Sequence, residues 1–575
     1  MKVKLDEKAT GPQKYDQLIA TLSPMLKQAS DHRGSWSLVN TSTHPDNDTL
    51  GIFGAESVKP DITLYYDEES TSNNSHRKIC DMRRAVLFGE FKEYKSTDGE
   101  KTKGMTGVAF NDDATKFETS SLEGKLIRGQ ITLYNTVIQA RQFRTRVFSF
   151  FIHGETCRLI RHSRACAEVS VSFSLEDTDH LQQFLWRFMH AKEHERGLDT
   201  SFTPVDLATK KGKSLQIKDI LKVPSESLHS VFSVEVAKKT FLLHREFTRA
   251  HHFPLGRGTR CFVAYDEESD RAVVLKDSWR DEAYEDEGKV YEKLKNAGVP
   301  NLLNVVAYGD VKEGSDSQRA TFKYKGRSGE EKKKVLCHSR LVLDRVGRSL
   351  ADFRTERELV VAVRDALMAH KEAFEKAGIL HRDISAGNIV LNAADADEGG
   401  FLIDWESAKA ETMTDPGMNE RMGTYQFLSI RLLEDMGNPV AVKHELQDDL
   451  ESFAWVLYWI AAKYAPTTAD DQNKMTLEFF DDPDPKRAAR LKKLLIRDRE
   501  CAQELRLKSR SLTTLLDAMM GALSCYRGGN SLKSWVDPYD ASGGPNGSIK
   551  YSADMGSHDL MLRLFNDALK TEVWT

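Results

Sequence analysis

The stretch Gly378-Ile-Leu-His-Arg-Asp-Ile-Ser-Ala-Gly-Asn-Ile-Val-Leu391, followed by Phe401-Leu-Ile-Asp-Trp-Glu-Ser407, decides how this chain is read. Asp383 closes the triplet His381-Arg382-Asp383, Asn388 lies five positions on, and Asp404 ends an apolar run sixteen positions after that. The residue types suit phosphoryl transfer. One carboxylate accepts or orients the proton of an attacking hydroxyl, while an amide oxygen and a second carboxylate hold a divalent cation against phosphates. Hard oxygen ligands of this kind suit Mg²⁺, which keeps several of its waters. The spacing places Asp383 and Asn388 on a short loop after a helix, with Asp404 on an adjacent hairpin strand.

Upstream, Gly256-Arg257-Gly258-Thr259-Arg260-Cys261 leads into the apolar strand Cys261–Asp266, and the next strand, Ala272–Lys276, ends in a lysine. Glu287 follows eleven residues later, in Glu287–Leu294. Two glycines before a strand mark a turn by themselves. Combined with a strand lysine and a helix carboxylate in this order, they describe a loop over phosphates and an ammonium aimed at them.

The rest of the composition bounds the setting. The chain has 575 residues, 82 Lys plus Arg against 87 Asp plus Glu, a formal net charge of −5 and 40% hydrophobic residues. That excludes a disordered scaffold and a globally basic chain that coats nucleic acid by charge alone. Seven cysteines (Cys80, Cys157, Cys166, Cys261, Cys337, Cys501, Cys525) are scattered without a CxxC pair, so neither a zinc site nor a disulfide framework is indicated. The N-terminal run lacks the apolar core of a signal peptide, and the longest apolar stretch, 453–462, is too short to span a bilayer. A soluble intracellular protein, cytoplasmic or nuclear, with no membrane contact is expected.

Periodicity divides the chain into an α/β N-terminal domain (1–202), a polar linker (203–234) and a second domain (235–570), strand-rich at first and helical from Thr355 onward. In the first domain, helices are expected over 15–29 and 127–142, strands over 61–66, 84–92, 146–152 and 168–174, and a helix capped by Asp177 that buries Leu181, Phe184, Leu185 and Phe188. In the second, residues 312–335 read as a charged mobile insertion and 463–500 as a surface excursion. Thr355 and Glu358 form a capping-box pattern, with Gly378 ending that helix.

The chain resembles the protein-kinase superfamily, and most closely the fungal-type protein kinase family. The resemblance is carried by 256–259, 274–279, 379–391, 401–408, 421–429 and 444–460, and extends upstream through 60–62, 89–92 and 139–152. It implies an α+β, two-lobed protein-kinase-like fold with a β-rich N-lobe and a helical C-lobe, preceded by the α/β N-terminal domain. The implied activity is ATP- and Mg²⁺-dependent transfer of the γ-phosphate to Ser/Thr hydroxyls of a protein substrate. Implied roles are Asp383 as catalytic base, Asn388 and Asp404 as metal ligands, and Lys276 as the phosphate-facing lysine with Glu287 as its partner. Gly256 and Gly258 would belong to the loop over the phosphates, and Leu343, Asp344 and Val346 to the adenine-binding hinge. Gly423-Thr424 would sit in the acceptor segment, and Asp449 would anchor the catalytic loop.

Four positions depart from the common kinase pattern. Asp404-Trp405-Glu406 replaces the usual Asp-Phe-Gly, Ser385 stands where many Ser/Thr kinases carry a lysine, Cys261 replaces the third glycine of the loop, and Arg431 replaces a structural glutamate. The base- and metal-bearing residues are nonetheless present, which favours an active enzyme. A small-molecule phosphotransferase of the aminoglycoside- or choline-kinase kind and a silent kinase-like binding module are the alternatives. Thr412, Thr414 and Thr424 are candidate phosphorylation sites that would pair with Arg382.

A second pattern lies in the N-terminal domain. Pro60-Asp61 on one strand and Glu90-Phe91-Lys92 on another resemble restriction-endonuclease-like cores, with Gln130 and Tyr134 on the following helix. Alternation puts Glu90 and Lys92 on one face. Such a set would hold a divalent metal with Asp61 and orient a water, and it is the one route by which nucleic acid enters as a partner.

Overall fold

In the computed structural model the described residues are all but 1–2, 7–8, 32–33, 50–57, 69–79, 94–108, 113–116, 211, 225–230, 249–253, 314–315, 326–330, 394–398, 411–422, 439–441, 469–477, 498–502, 528–537, 540–554, 572–573 and 575. Thr412 and Thr414 therefore lie outside the described residues, as does Cys501. The chain divides into two compact units. The first comprises Met1–Arg271, Leu275–Glu282 and Asp310–Arg340; the second comprises Ala272–Val274, Ala283–Gly309 and Leu341–Thr575.

The first unit opens with helix α1 (Gly11–Ala29), which buries Leu18, Leu22 and Leu26 at helical spacing. Strands β1 (Gly34–Asn40), β2 (Ile62–Glu68) and β3 (Leu87–Lys92) form an antiparallel meander. Helix α2 (Leu122–Arg141) then crosses to β4 (Arg146–His153), which pairs parallel to β3. A short turn returns the chain as β5 (Thr156–Ser163), antiparallel to β4. Apolar residues fill both faces: Leu87, Phe150 and Ile152 lie in the cluster with α1, and Phe88, Phe151 and Ile131 in the cluster with α2.

The single strand expected over 168–174 is broken into β6 (Ala167–Val169) and β7 (Phe173–Ser174), both paired with β5. Ser170 causes the break. Its Oγ accepts the Leu159 N–H and donates to the Val171 carbonyl, which takes those residues out of regular pairing. Helix α3 (His180–His190) starts later than the expected Asp177 cap, with Asp179 at its N-cap and no side-chain cap bond. Its expected apolar face holds for Leu181, Leu185 and Phe188.

A second sheet completes this unit. β8 (Thr203–Val205), β9 (Val231–Val236), β10 (Lys239–Glu246), β11 (Arg260–Asp266) and β12 (Arg271–Asp281) are neighbours in that order, and the strand Glu331–Leu343 pairs beyond β12. The stretch 203–234 thus carries β8 and helix α4 (Ser214–Leu221), whose Ile217 and Leu221 pack with Leu242 and Tyr265. The expected charged loop over 312–335 is instead largely a β-hairpin, Arg319–Lys325 against Glu331–Leu343. Its lysine-rich composition conceals an inward face, because Ala320 and Leu336 are opposite one another and buried. The two sheets of this unit meet at a stack of aromatics: Phe143 lies flat on Phe202 at 3.7 Å and edge-on to Phe232 at 5.0 Å.

The second unit is mainly helical. It holds helix α5 (Glu287–Asn296), most of strand β13 (Val305–Asp310), α6 (Glu356–Ala377), α7 (Ile430–Asp435) and α8 (Leu446–Tyr464), followed by helices Pro485–Arg497, Arg510–Arg527 and Asp559–Leu569. One large apolar core joins α5, α6, α8 and the later helices. Of the α6 signals, the N-cap and the stop hold: Thr355 Oγ1 accepts the Glu358 N–H at 3.0 Å, and Gly378 ends the helix at φ +64°, while the Glu358 carboxylate accepts the Arg354 N–H in place of the reciprocal capping-box bond. The excursion expected over 463–500 contains a packed helix, Pro485–Arg497, with Ala488, Ala489, Leu495 and Ile496 buried. The expected mixed α+β architecture is what the structure has.

Candidate functional site

The chain leaves α6 through Gly378, forms the two-residue strand Ile379–Leu380 and enters the loop that carries Asp383. Arg382 sits there at φ +70°, a left-handed conformation that costs a non-glycine residue about 1 kcal/mol. The structure fixes it: the Arg382 N–H donates to Asp449 Oδ2 at 3.0 Å. Asp449 lies in the first turn of α8 and is fully buried. The same oxygen accepts from His370 Nε2 at 2.9 Å, and Oδ1 accepts from His444 Nε2 at 2.8 Å. Burial opposes its charge, yet His444 and His370 hold the carboxyl well below the usual range. His370 Nδ1 is in turn 2.7 Å from His558 Nε2. Asp449 thus sits where the resemblance put the anchor of the loop.

Asp383 is nine-tenths buried, and its Oδ1 accepts both the N–H and the hydroxyl of Thr424, each at 2.8 Å. Its carbonyl accepts from Asn388 Nδ2 at 2.8 Å, which leaves the Asn388 amide oxygen as an acceptor for another group. The Ile403 N–H donates to the Asn388 carbonyl at 2.9 Å, and the strands Ile389–Leu391 and Gly400–Leu402 pair antiparallel. His381 completes the tie: its Nε2 donates to the Ile403 carbonyl at 3.0 Å and its ring packs edge-on against Trp405. Burial lowers the pKa of His381, which keeps the ring neutral. One hairpin and one loop therefore carry Asp383, Asn388 and Asp404 together.

Asp404 also has a left-handed backbone, φ +65°, and begins a short helical turn over Trp405–Ser407. Trp405 is fully buried. Its N–H donates to Glu287 Oε1 at 3.0 Å and its indole N–H to the Leu402 carbonyl at 3.1 Å. Glu287 is the first residue of α5, whose N-cap Asp286 accepts from the Gly288 N–H. Glu287, Asp404 and Glu406 each bring a carboxylate oxygen to within 4.8 Å of the others. Three such anions repel one another unless a cation or proton lies among them, and their hard oxygens fit a divalent ion of the Mg²⁺ class. Sequence reasoning missed Glu406 as a member of this group. Its one signal was that it replaces the glycine common at that position.

The remaining expected residues fall as follows. Lys276 is a buried residue of β12 in the first unit. Gly256 and Gly258 occupy the loop before β11 at φ +86° and +52°, where glycine is the natural choice. Leu343 ends its strand, buried in the second unit. Asp344 is taken up by Asn304: its N–H donates to the Asn304 carbonyl, and its carboxylate accepts the Asn304 N–H and side-chain amide, each at 2.9 Å. Val346 is half-buried.

Two further residues hold the segment around Thr424. Lys492 is buried, and its ammonium donates to the carbonyls of Gln426 and Leu428 at 2.8 and 2.7 Å. Arg431 pairs with Asp448 and Glu445. In the first unit, Asp61 Oδ2 accepts the Phe91 N–H at 2.8 Å and Lys92 bonds Glu90 at 2.5 Å, so Glu90 and Lys92 do share a face. Glu90 is fully buried, its carboxyl pushed up to about 8 by burial and by Asp61.

A family model described as "Fungal protein kinase" matches residues 115–461, more than half of the chain. A search of curated proteins finds no match. Nothing matched supports the restriction-endonuclease-like reading of residues 1–202. Asp61, Glu90 and Lys92 lie upstream of the matched segment. No described helix is long and apolar enough to cross a membrane.

Proposed function

We propose, from the premise that the chain belongs to the fungal protein kinase family, that it is an active ATP- and Mg²⁺-dependent kinase that phosphorylates Ser/Thr hydroxyls of proteins. The observation that carries the reading is the bonding of Asp383: its carboxylate takes the hydroxyl hydrogen of Thr424, the interaction an incoming Ser or Thr would make. In this reading Asp383 is the base that orients and receives the acceptor's proton. Asn388, through its amide oxygen, and Asp404 are the metal ligands, with Glu287 and Glu406 adding negative charge beside them. Bound Mg²⁺ would offset charge on the transferring phosphate.

Lys276 is assigned to the phosphates of ATP, Gly256 and Gly258 to the loop over them, and Leu343, Asp344 and Val346 to the adenine edge. Glu287 is assigned to Trp405 and the metal-side carboxylates rather than to Lys276 alone. The buried Trp405 supports activity without an Asp-Phe-Gly motif, because its two hydrogen bonds fix the residue next to Asp404 although Glu406 replaces the glycine. The protein is placed in the cytoplasm or nucleus.

The test is label transfer from γ-labelled ATP by the purified chain, compared with Asp404→Ala, followed by phosphoamino-acid analysis. Phosphoserine or phosphothreonine formed only by the natural chain is expected. Equal labelling by the two proteins, or none by either, overturns the assignment.

A further inference from the structure

The turn between β5 and β6 lies against the glycine loop. It is rigid in itself: Ser163 Oγ accepts the Cys166 and Ala165 N–H groups, and the Ser163 N–H donates to the Cys166 carbonyl at 2.8 Å. Ala165 packs on Trp279, Ala320 and Leu336. Through this turn and β12, three consecutive loop residues are gripped. The Gly256 N–H donates to the Arg164 carbonyl at 2.8 Å, and the Arg257 carbonyl accepts the Trp279 N–H at 2.7 Å. Gly258 lies under the Arg164 guanidinium so closely that a Cβ would sit 2.5 Å from Cζ and 2.7 Å from Nη1.

Arg164 is 4% exposed, and its Nε and Nη1 have no hydrogen-bond partner among the described residues. A buried guanidinium with unsatisfied donors is costly. Glu246 and Asp277 favour its charge, yet neither bonds it: Glu246 lies 3.3 Å from Arg260, and Asp277 pairs with His338 and Arg340. What the guanidinium does touch is the loop backbone.

Strand alternation says from which side. Side chains along β12 point to opposite faces in turn, so Lys276 faces one way and Asp277 and Trp279 the other. Ala165 packs on Trp279, which puts the turn on the face away from Lys276. Arg164 thus acts on the loop from behind.

We propose that Arg164 is a positioning residue for nucleotide phosphates, holding the Gly256–Gly258 loop in its bent form from outside the kinase strands. The inference rests on the reading of that loop as the phosphate loop. It makes the N-terminal sheet part of the nucleotide site's support. Gly258 is then required for two reasons, its left-handed backbone and the seat it leaves for Arg164.

The experiment measures KM for ATP and kcat separately on the full chain for the natural protein, Arg164→Ala, Arg164→Lys, Gly258→Ala and the double variant Arg164→Ala/Gly258→Ala. Glu168→Ala, an exposed change on the same hairpin, serves as control. Arg164→Ala is expected to raise KM for ATP about tenfold with kcat within about twofold. Arg164→Lys should recover part of the loss. The double variant should be no worse than Gly258→Ala alone, because both changes break one contact. Glu168→Ala should match the natural chain.

Unchanged KM in Arg164→Ala, or strictly additive losses in the double variant, overturns the proposal. Should Arg164→Ala not fold, Arg164→Lys and Gly258→Ala decide on the same KM criterion. A natural chain that neither binds nor turns over ATP overturns the kinase reading and this inference with it. Turnover with an indifferent Arg164 overturns this inference alone.

Discussion

Asp383 and Glu90 are both nine-tenths buried or more, yet their bonding partners differ. Asp383 receives two donors from Thr424. Asp383→Asn keeps an oxygen for those donors while removing the base. Its kcat should fall by roughly 10²–10⁴, with nucleotide affinity within about twofold. Fluorescent-nucleotide titration beside the turnover assay checks both, and undiminished turnover would remove Asp383 from the chemistry. Glu90 instead shares a buried site with Asp61, and its carboxyl is raised to about 8. An ordinary glutamate titrates near about 4.3, so the folded protein keeps a proton that the unfolded chain releases. The stability this proton supplies is complete below about pH 4.3 and is lost as pH rises through about 8. Glu90→Gln fixes the neutral form. Its melting temperature should gain on the natural chain's as pH goes from 5 to 8; a pH-independent difference would show that the proton is not held there. Kinase activity should be unaffected by this change.

Helix α8 gathers three buried acids in its first two turns, and between them they hold the 429–431 segment, the catalytic loop and Arg527. Asp448 takes Ser429 and Arg431, Asp449 takes the catalytic loop, and Glu451 takes the Ile430 N–H, the Trp455 indole and Arg527. Carboxylates near a helix N-terminus are favoured by the helix dipole, which helps the fold bear three buried charges. Asp449→Asn keeps the shape and loses the charge that His370 and His444 face. It should cost about 3 kcal/mol or more in denaturant unfolding and lower kcat at least tenfold by freeing Arg382 from its left-handed backbone. A stable, fully active variant would show that the loop holds itself. At the other end of the same core, Thr355→Ala removes the α6 cap and should cost about 1 kcal/mol without altering KM for ATP. These elements also show what a sequence can disclose. The α6 cap, the 381–388 loop and Asp404 were legible because their chemistry lies within a few positions of itself. The hairpin at 319–343 was not, because its five lysines obscure the buried, facing pair Ala320 and Leu336. Lys492 and Arg164 were illegible for another reason: their partners are set by distant pairing that no local pattern encodes.

The molecule as a whole departs from the layout that composition suggests. Residues 203–234 look like a connector, yet they supply a strand and a helix to the sheet that carries Lys276. The family match begins at residue 115, inside the first sheet's elements rather than at the expected second domain. The first fact accords with the packing of the first unit, where Phe143, Phe202, Phe232 and Phe262 form one aromatic cluster. A fragment beginning at residue 235 lacks Phe143, Phe202 and Phe232 and leaves Phe262 without the rings that cover it. It should be insoluble or melt well below the full chain, whereas a well-folded fragment would make the N-terminal sheet dispensable to stability. The linkage from Asp449 through His370 to His558 spans 188 positions between the two histidines. Contacts so far apart in sequence form slowly, because a long loop must close first. During synthesis the ribosome has therefore already produced every proposed active-site residue while the brace that steadies them is still unmade. A nascent chain holding Asp383 but not yet His558 would be an idle enzyme, and phosphorylation would begin only once the helix at Asp559–Leu569 has docked.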